Sequence, residues 1–484
     1  VTPVVGAADR MARNALLKVA VQGTRLASLA LVIVSARILG PTQFGKFTFA
    51  YALATVLGVA VDFGIPVVLT RAVARAPAET SERWATAARL KLGLLAGAGP
   101  VLALIPLVTR RPWDAVAAVW LLGLAIALQA LVENAVAVFT GFQRLECELG
   151  VRLVEKAVLV AIGFAALAAG AGLPGLSAAF AVAPAVSLAL AVRLIRRRLA
   201  PLDARGRPGA ARALARELAP VAQAQLLGFA TARLAPIAVA LLAGDQAAGH
   251  FGAAFRVYDV ALVAPVALVA AVYPELARTG PETARFAALA TQTAELLLLG
   301  ALAVALGLAL GGPELVAFVY GRGYAAAGPV LSVLGGAVGC AMLQQFLAAV
   351  FLALDRPRRL RAVAAVAFGT SAALTPALVW AGGAVGGAMA VLLVEAVALG
   401  ASLASLRSLI GLPLGQGALR ALGAAAAGAI AGVAMPAGPA RALAGLAGFG
   451  LGVLVLRPLP AAVWARLTRG ARGRPGPGEP PGGP

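Results

Sequence analysis

"GPTQFGKF", residues 40–47, is the stretch on which the reading of this chain turns. Gly40, four residues, Gly45 and Lys46 give the phosphate-loop spacing G-x-x-x-x-G-K-[ST] up to its last position. There Phe47 stands where a magnesium-ligating hydroxyl belongs. A phosphate loop also needs a strand before it and a helix after it; here an apolar run of helical length precedes it. An echo, "GDQAAGHF" at 244–251, keeps Gly244, Gly249 and Phe251 at an offset of 204 residues but puts His250 where Lys46 stands. A lysine that the second copy does without is not required by the turn. The stretch therefore reads as a turn between two helices, with glycines for tight turning and close helix approach, and ATP is not an expected ligand.

The surroundings of the turn set the fold class. Of 484 residues 61% are hydrophobic and only 13% charged, and the mean hydropathy is +0.91. Soluble proteins carry about a quarter charged residues, and an apolar excess of this size cannot be hidden in one water-soluble core. About fourteen apolar runs, each long enough to cross a bilayer, recur from end to end. The expectation is an all-α integral membrane protein. The net charge of +21 does not point to nucleic acid, because the basic residues lie in short segments between apolar runs, as topology signals do. With the N-terminus on the cytoplasmic side, about thirty Lys and Arg fall inside and about five outside. Arg25, Arg37, Lys156, Arg233 and Arg256 fall within spans. The inner clusters include "RLIRRR" at 193–198 and "DRPRRLR" at 355–361. The first run follows Arg10, Arg13 and Lys18 and reads as a signal anchor, with Met11 as an alternative start. Cys147 and Cys340 are not expected to form a disulfide.

The echo of the opening stretch has a companion. "AVFTGFQR" at 137–144 matches "AVFLALDR" at 349–356, at an offset of 212. Both pairs sit at equivalent span boundaries, so spans one to six and seven to twelve read as two parallel six-helix repeats, related by an axis along the membrane normal. Two extra C-terminal helices complete about fourteen. The expected organisation is a cytoplasmic N-terminus (1–14), an N-lobe (15–198), a basic cytoplasmic linker (199–216), a C-lobe (217–406), the last two helices (407–457) and a Pro/Gly-rich cytoplasmic tail (458–484) expected to be disordered.

Two further stretches carry a resemblance. "ARILGPTQFGKFTFAYALATVLGVAVDFGIPVVLTRAVAR" at 36–75 and "AVFLALDRPRRLR" at 349–361 resemble helices one, two and ten of bacterial polysaccharide flippases. These belong to the superfamily of multidrug, oligosaccharidyl-lipid and polysaccharide exporters. The resemblance covers roughly 15–460. It implies two lobes around a central cavity that opens alternately to each side of the bacterial inner membrane. It also implies transport of an undecaprenyl-pyrophosphate-linked oligosaccharide for surface polysaccharide synthesis, with polymerase or assembly proteins as partners. A non-enzymatic role follows, without metal or cofactor. One alternative is a multidrug extruder or lipid II flippase of the same superfamily. Another is a membrane glycosyltransferase or polymerase, which usually needs a sizeable outer loop with acids. Here the outer loops are short, and their acids are Asp114, Asp245 and Glu314.

A charge at mid-bilayer costs about 2.5–3.5 kcal/mol on insertion scales, so each needs a reason. Arg233 maps through the 204 offset to position 29, one helical turn from Arg25. The pair is the candidate site for the carrier's pyrophosphate, whose paired oxygens suit a guanidinium fork; a structural ion pair is the competing reading. Asp62, Glu133, Glu295 and Glu395 are candidate coupling or charge-balancing acids. Gly64 and Pro66 are placed to bend the helix beside Asp62. Arg256 with Asp259, and Arg152 with Glu155 and Lys156, have the spacing of pairs within one helix. Arg37 sits where it can snorkel. His250 reads as a solvent-facing helix start, and Phe44, Phe47, Trp113, Tyr320 and Tyr324 as a headgroup belt. No catalytic constellation is present.

Overall fold

Long runs of Ala, Leu, Val and Gly without β-strand alternation leave a chain in lipid one way to satisfy its backbone, which is to coil. The computed structural model describes residues 2–202, 209–279, 283–410 and 416–459, with most side chains from Ser28 onward, and among these residues it is all-helical. In chain order the helices are α1 (Thr2–Asp62), α2 (Ile65–Arg75), α3 (Thr80–Val108), α4 (Trp113–Gly141), α5 (Leu145–Ala168), α6 (Gly172–Arg198), α7 (Ala210–Leu242) and α8 (Asp245–Ala261). They continue as α9 (Val263–Arg278), α10 (Ala284–Tyr320), α11 (Ala327–Ala353), α12 (Pro357–Ile410), α13 (Gln416–Val433) and α14 (Pro439–Leu456). Arg25 falls on α1, but its side chain lies outside the described residues, as do residues 203–208 of the linker and the tail from 460.

These helices match the apolar runs, with breaks where glycine permits them. α1 holds two spans separated at Gly40 (φ 72°, ψ 170°), and α12 holds two separated at Gly383 (φ 55°). Gly64 (φ 75°) and Pro66 end α1 beside Asp62 and start α2, the bend expected there. A second break, at Leu262 between α8 and α9, precedes Pro265 in the first turn of α9, whose ring and missing N–H end the hydrogen bonding of α8 at Ala261. α7 begins at Ala210, within the stretch read as linker, after Gly209 at φ 79°. Among the described residues nine helical stretches are long and apolar enough to cross a membrane. Two of them, Ser28–Arg75 and Pro357–Arg407, each hold a pair of spans. Large side chains such as Phe318, Trp380 and Val455 stand at least 77% exposed, as lipid-facing residues do.

The repeats are visible in local backbone. Gly40 and Gly244 are both left-handed (72° and 88°), and so are the non-glycine equivalents Gln143 (57°) and Asp355 (53°). Two copies of a turn share a strained residue only if the turn itself is shared.

The chain divides into two compact units: 1–256 with 316–330 and 367–391, and 257–315 with 331–366 and 392–484. In the first, α4 packs against α2 and α6 around Ile65, Leu69, Val132, Phe139, Ala191 and Ile195. In the second, Leu306 and Leu310 of α10 meet Ala421, Ala424 and Phe449. There α13 and α14 approach closely because Gly428 faces Gly445 and Gly448, and Gly452 faces Ala424.

Within the first unit the opening stretch meets its own echo. A Cβ on Gly45 would strike the backbone carbonyl of Asp245, and a Cβ on Gly249 would strike that of Pro41. Gly252 lies against Thr48. Residues 41, 45 and 48 are the offset-204 equivalents of 245, 249 and 252. The contact is thus reciprocal, residue for residue, as across a two-fold axis. The glycines of "GPTQFGKF" make a helix crossing and hold no phosphate.

Candidate functional site

The reciprocal crossing is reinforced by side chains that reach from one repeat into the other. Arg111, in the turn before α4, donates to the Asp245 carboxylate and to the Ala240 carbonyl, with its guanidinium 4.6 Å from the centre of the Phe49 ring. Arg37 donates to the carbonyls of Val319 (2.7 Å) and Phe318 (2.5 Å), which end α10 without intrahelical partners. Tyr324 Oη donates to the Ala36 carbonyl at 2.7 Å. Burial, with Tyr320 adding to it, pushes that phenol above its ordinary range and keeps it a donor. Within the first repeat, Lys46 braces the same turn by reaching Asp114 at 2.5 Å.

Several expectations are corrected here. Phe44, Phe47, Tyr320 and Tyr324 are buried, and only Trp113 is exposed, because these rings fill the crossing. Phe44 stacks on Phe47 at 5.8 Å and meets Tyr324 edge-on. His250 is half-buried against Tyr324 at 6.0 Å and lies inside α8, not at its start. Arg37 caps the end of α10.

Beneath the crossing, still within the first unit, lies a cavity of about 610 Å³. α1 contributes Ser28, Val32 and Tyr51; α4 Gln129 and Glu133; α5 Glu148, Arg152, Glu155 and Lys156; α6 Phe180 and Pro184; α8 Arg256. Its charges are ordered. Arg152 Nη2 donates to both oxygens of Glu133, at 2.7 and 2.8 Å, and Gln129 supports the same carboxylate at 3.1 Å. Glu155 holds Lys156 at 2.6 Å and approaches Arg152 at 3.6 Å. Arg256 stacks over Tyr51 at 4.4 Å, an arrangement that fixes a guanidinium while leaving its edge donors available. Arg152 is only 15% exposed and Glu155 4%. Charges so buried need partners, and each of these has one.

The structure regroups the expected residues. Glu133 lines the cavity, but Arg233 does not: it lies 5.6 Å from the Phe255 ring. Arg152 finds its main partner on α4, a neighbour that helical spacing along α5 cannot show. Asp62 pairs with Lys91 at 2.9 Å. In the second unit Glu395 accepts from Tyr258 Oη at 3.3 Å, and the Glu295 carboxylate lies against Gly417 at the start of α13.

The model of the family described as "polysaccharide biosynthesis protein" matches residues 11–279, more than half of the chain. The chain belongs to that family. No curated protein matches it. Among solved structures, this polysaccharide biosynthesis protein is similar to the lipid II flippase MurJ in an inward closed conformation. The TM-score is 0.72 at 11% identity, covering 94% of this chain and 100% of the other. An inward-facing multidrug-resistance MATE transporter of the MOP superfamily matches with a TM-score of 0.61 at 15% identity, over 80% and 95% of the two chains. A MOP-superfamily transporter from Pyrococcus furiosus, described with a binding pocket of reverse polarity, matches with 0.56 at 14%, over 82% and 95%. At these identities what is shared is the fold. This polysaccharide biosynthesis protein is a multi-pass membrane protein with the fold of flippases and transporters.

Proposed function

We propose that this protein moves a lipid-linked oligosaccharide, carried on undecaprenyl pyrophosphate, from the inner to the outer leaflet of the bacterial inner membrane by alternating access, with both termini cytoplasmic. The observation that carries the reading is the pair of guanidinium groups, Arg152 from the first repeat and Arg256 from the second, lining one polar cavity. The polysaccharide biosynthesis family and the MurJ-like fold supply the context.

In this reading Arg256, steadied by Tyr51, meets the pyrophosphate with its free edge. Arg152 and Lys156 exchange part of their contact with Glu133 and Glu155 for phosphate oxygens. Arg25 and Arg233 are kept as candidate contacts of the pyrophosphate during transit. The reciprocal crossing is the closed outer gate. To open, Arg37 and Arg111 release the helix-end carbonyls they cap, and the glycine contacts part. Polysaccharide polymerase or assembly proteins receive the product.

Purified Arg256→Ala and Arg152→Ala variants test the site by their binding of undecaprenyl pyrophosphate. Loss of a charge-assisted contact predicts about tenfold to a hundredfold weaker binding, with Arg256→Lys only partly restoring it because an ammonium cannot make the bidentate contact. Unchanged affinity in well-folded variants contradicts the reading. The cavity's acids Glu133, Glu148 and Glu155 favour a second reading, extrusion of a lipophilic cation; displacement of such a cation but not of the pyrophosphate selects it.

A further inference from the structure

Lys91 is the most completely buried charged side chain of the first unit, 0% exposed and midway along α3. Its ammonium donates to Asp62 Oδ1 at 2.9 Å and to the Ala130 carbonyl at 2.5 Å. Glu133, one turn further along α4, is the other carboxylate that acts on it, and that acid is itself held by Arg152. A carboxylate oxygen and a backbone carbonyl converging on one point are the ligands a hard monovalent cation takes. A further buried polar side chain lies along α4. Asn134 lies one turn on from Ala130, in the direction its carbonyl points. It is 0% exposed, and neither of its amide atoms finds a hydrogen-bond partner among the described residues. The Asp62 side chain is 40% exposed, so an ion has a way in.

We propose that Lys91 is a tethered cation occupying a latent sodium site made by Asp62, Ala130 and Asn134, so that Asp62 is charge-balanced for good and exchanges no coupling ion. The inference concerns the ion economy of the first repeat and holds whichever substrate the cavity takes. Lys91 acts through Asp62 and is a positioning residue.

The test uses full-length protein in lipid nanodiscs, as wild type, Lys91→Met, Asp62→Asn and the double variant, titrated with sodium chloride against choline chloride. Radioactive sodium binding and the melting temperature are read together. Lys91→Met is expected to gain about one saturable sodium site relative to wild type and a sodium-specific rise in melting temperature of about 3 °C or more. Both gains vanish in the double variant. A purely structural ion pair would give no sodium-specific signal. Saturable sodium binding by the wild type that Asp62→Asn removes overturns the proposal, since Asp62 then exchanges ions. So does a folded Lys91→Met that is rescued by acid alone or gains no sodium. If Lys91→Met aggregates, Lys91→Gln takes its place, and absence of sodium binding in that variant, or its failure to fold at any sodium concentration, overturns the proposal equally.

Discussion

Lys46 and Arg256 show what a single position can and cannot disclose. The wrong context of "GPTQFGKF" was readable from the missing hydroxyl at Phe47, and in the structure Lys46 pairs with Asp114, 68 residues on. The pair is partly exposed, so Lys46→Ala is expected to cost about 1 kcal/mol or less and to leave both transport and the absence of ATP hydrolysis unchanged. Stoichiometric ATP binding abolished by that change would contradict the turn. Arg256 was legible as a charge at membrane depth, but not as a cavity residue. Its ring partner Tyr51 lies in the other repeat, and the helical-spacing rule that suggested Asp259 sees only its own helix. Lys91 stands beside Arg89 near the start of an apolar run, and nothing in the sequence marks it as special. The structure buries it completely, and only the inter-helix pairing with Asp62 reveals why.

At the level of elements the sequence is a better guide. Apolar run length gave the helices, and glycine gave most of their breaks, at Gly40, Gly64 and Gly383. The repeat offset could be read from two short echoes. The reciprocal contact of those echoes could not, because periodicity says which face a residue occupies and not what covers it. That contact makes a prediction. Thr42 and Gln246 are exposed, equivalent positions flanking the crossing. Spin labels there should report a short separation in wild type and a longer, broader one in Gly45→Leu or Gly249→Leu, whose added side chains strike backbone that cannot yield. Arg111→Ala, which removes the bonds to Asp245 and Ala240, should shift the population in the same direction by a smaller amount. An unchanged separation in all three variants would show that the crossing is not what holds this end closed.

For the whole molecule, the basic loops and the even-numbered repeats are the grounds for proposing cytoplasmic termini, an orientation that labelling can check. Thr42→Cys should react with a membrane-impermeant thiol reagent from outside, and Arg205→Cys, in the linker, only after permeabilisation; equal reactivity from one side would break the topology. The membrane class, the helix count and the family were legible because lipid imposes strong, local rules on a spanning chain. The cavity was not, because it is assembled from α1, α4, α5, α6 and α8, whose lining residues lie far apart in sequence. The central claim is that this cavity carries a lipid-linked oligosaccharide across the bilayer. Its most direct test is the purified protein in liposomes loaded on the inner leaflet with a fluorescent undecaprenyl-pyrophosphate oligosaccharide, followed by the rate at which the sugar becomes accessible to an impermeant glycosidase outside. The account predicts exposure by the wild type well above protein-free liposomes, lost in Arg256→Ala at equal protein level. Exposure no faster than in protein-free liposomes, or equal rates in wild type and Arg256→Ala, would contradict it.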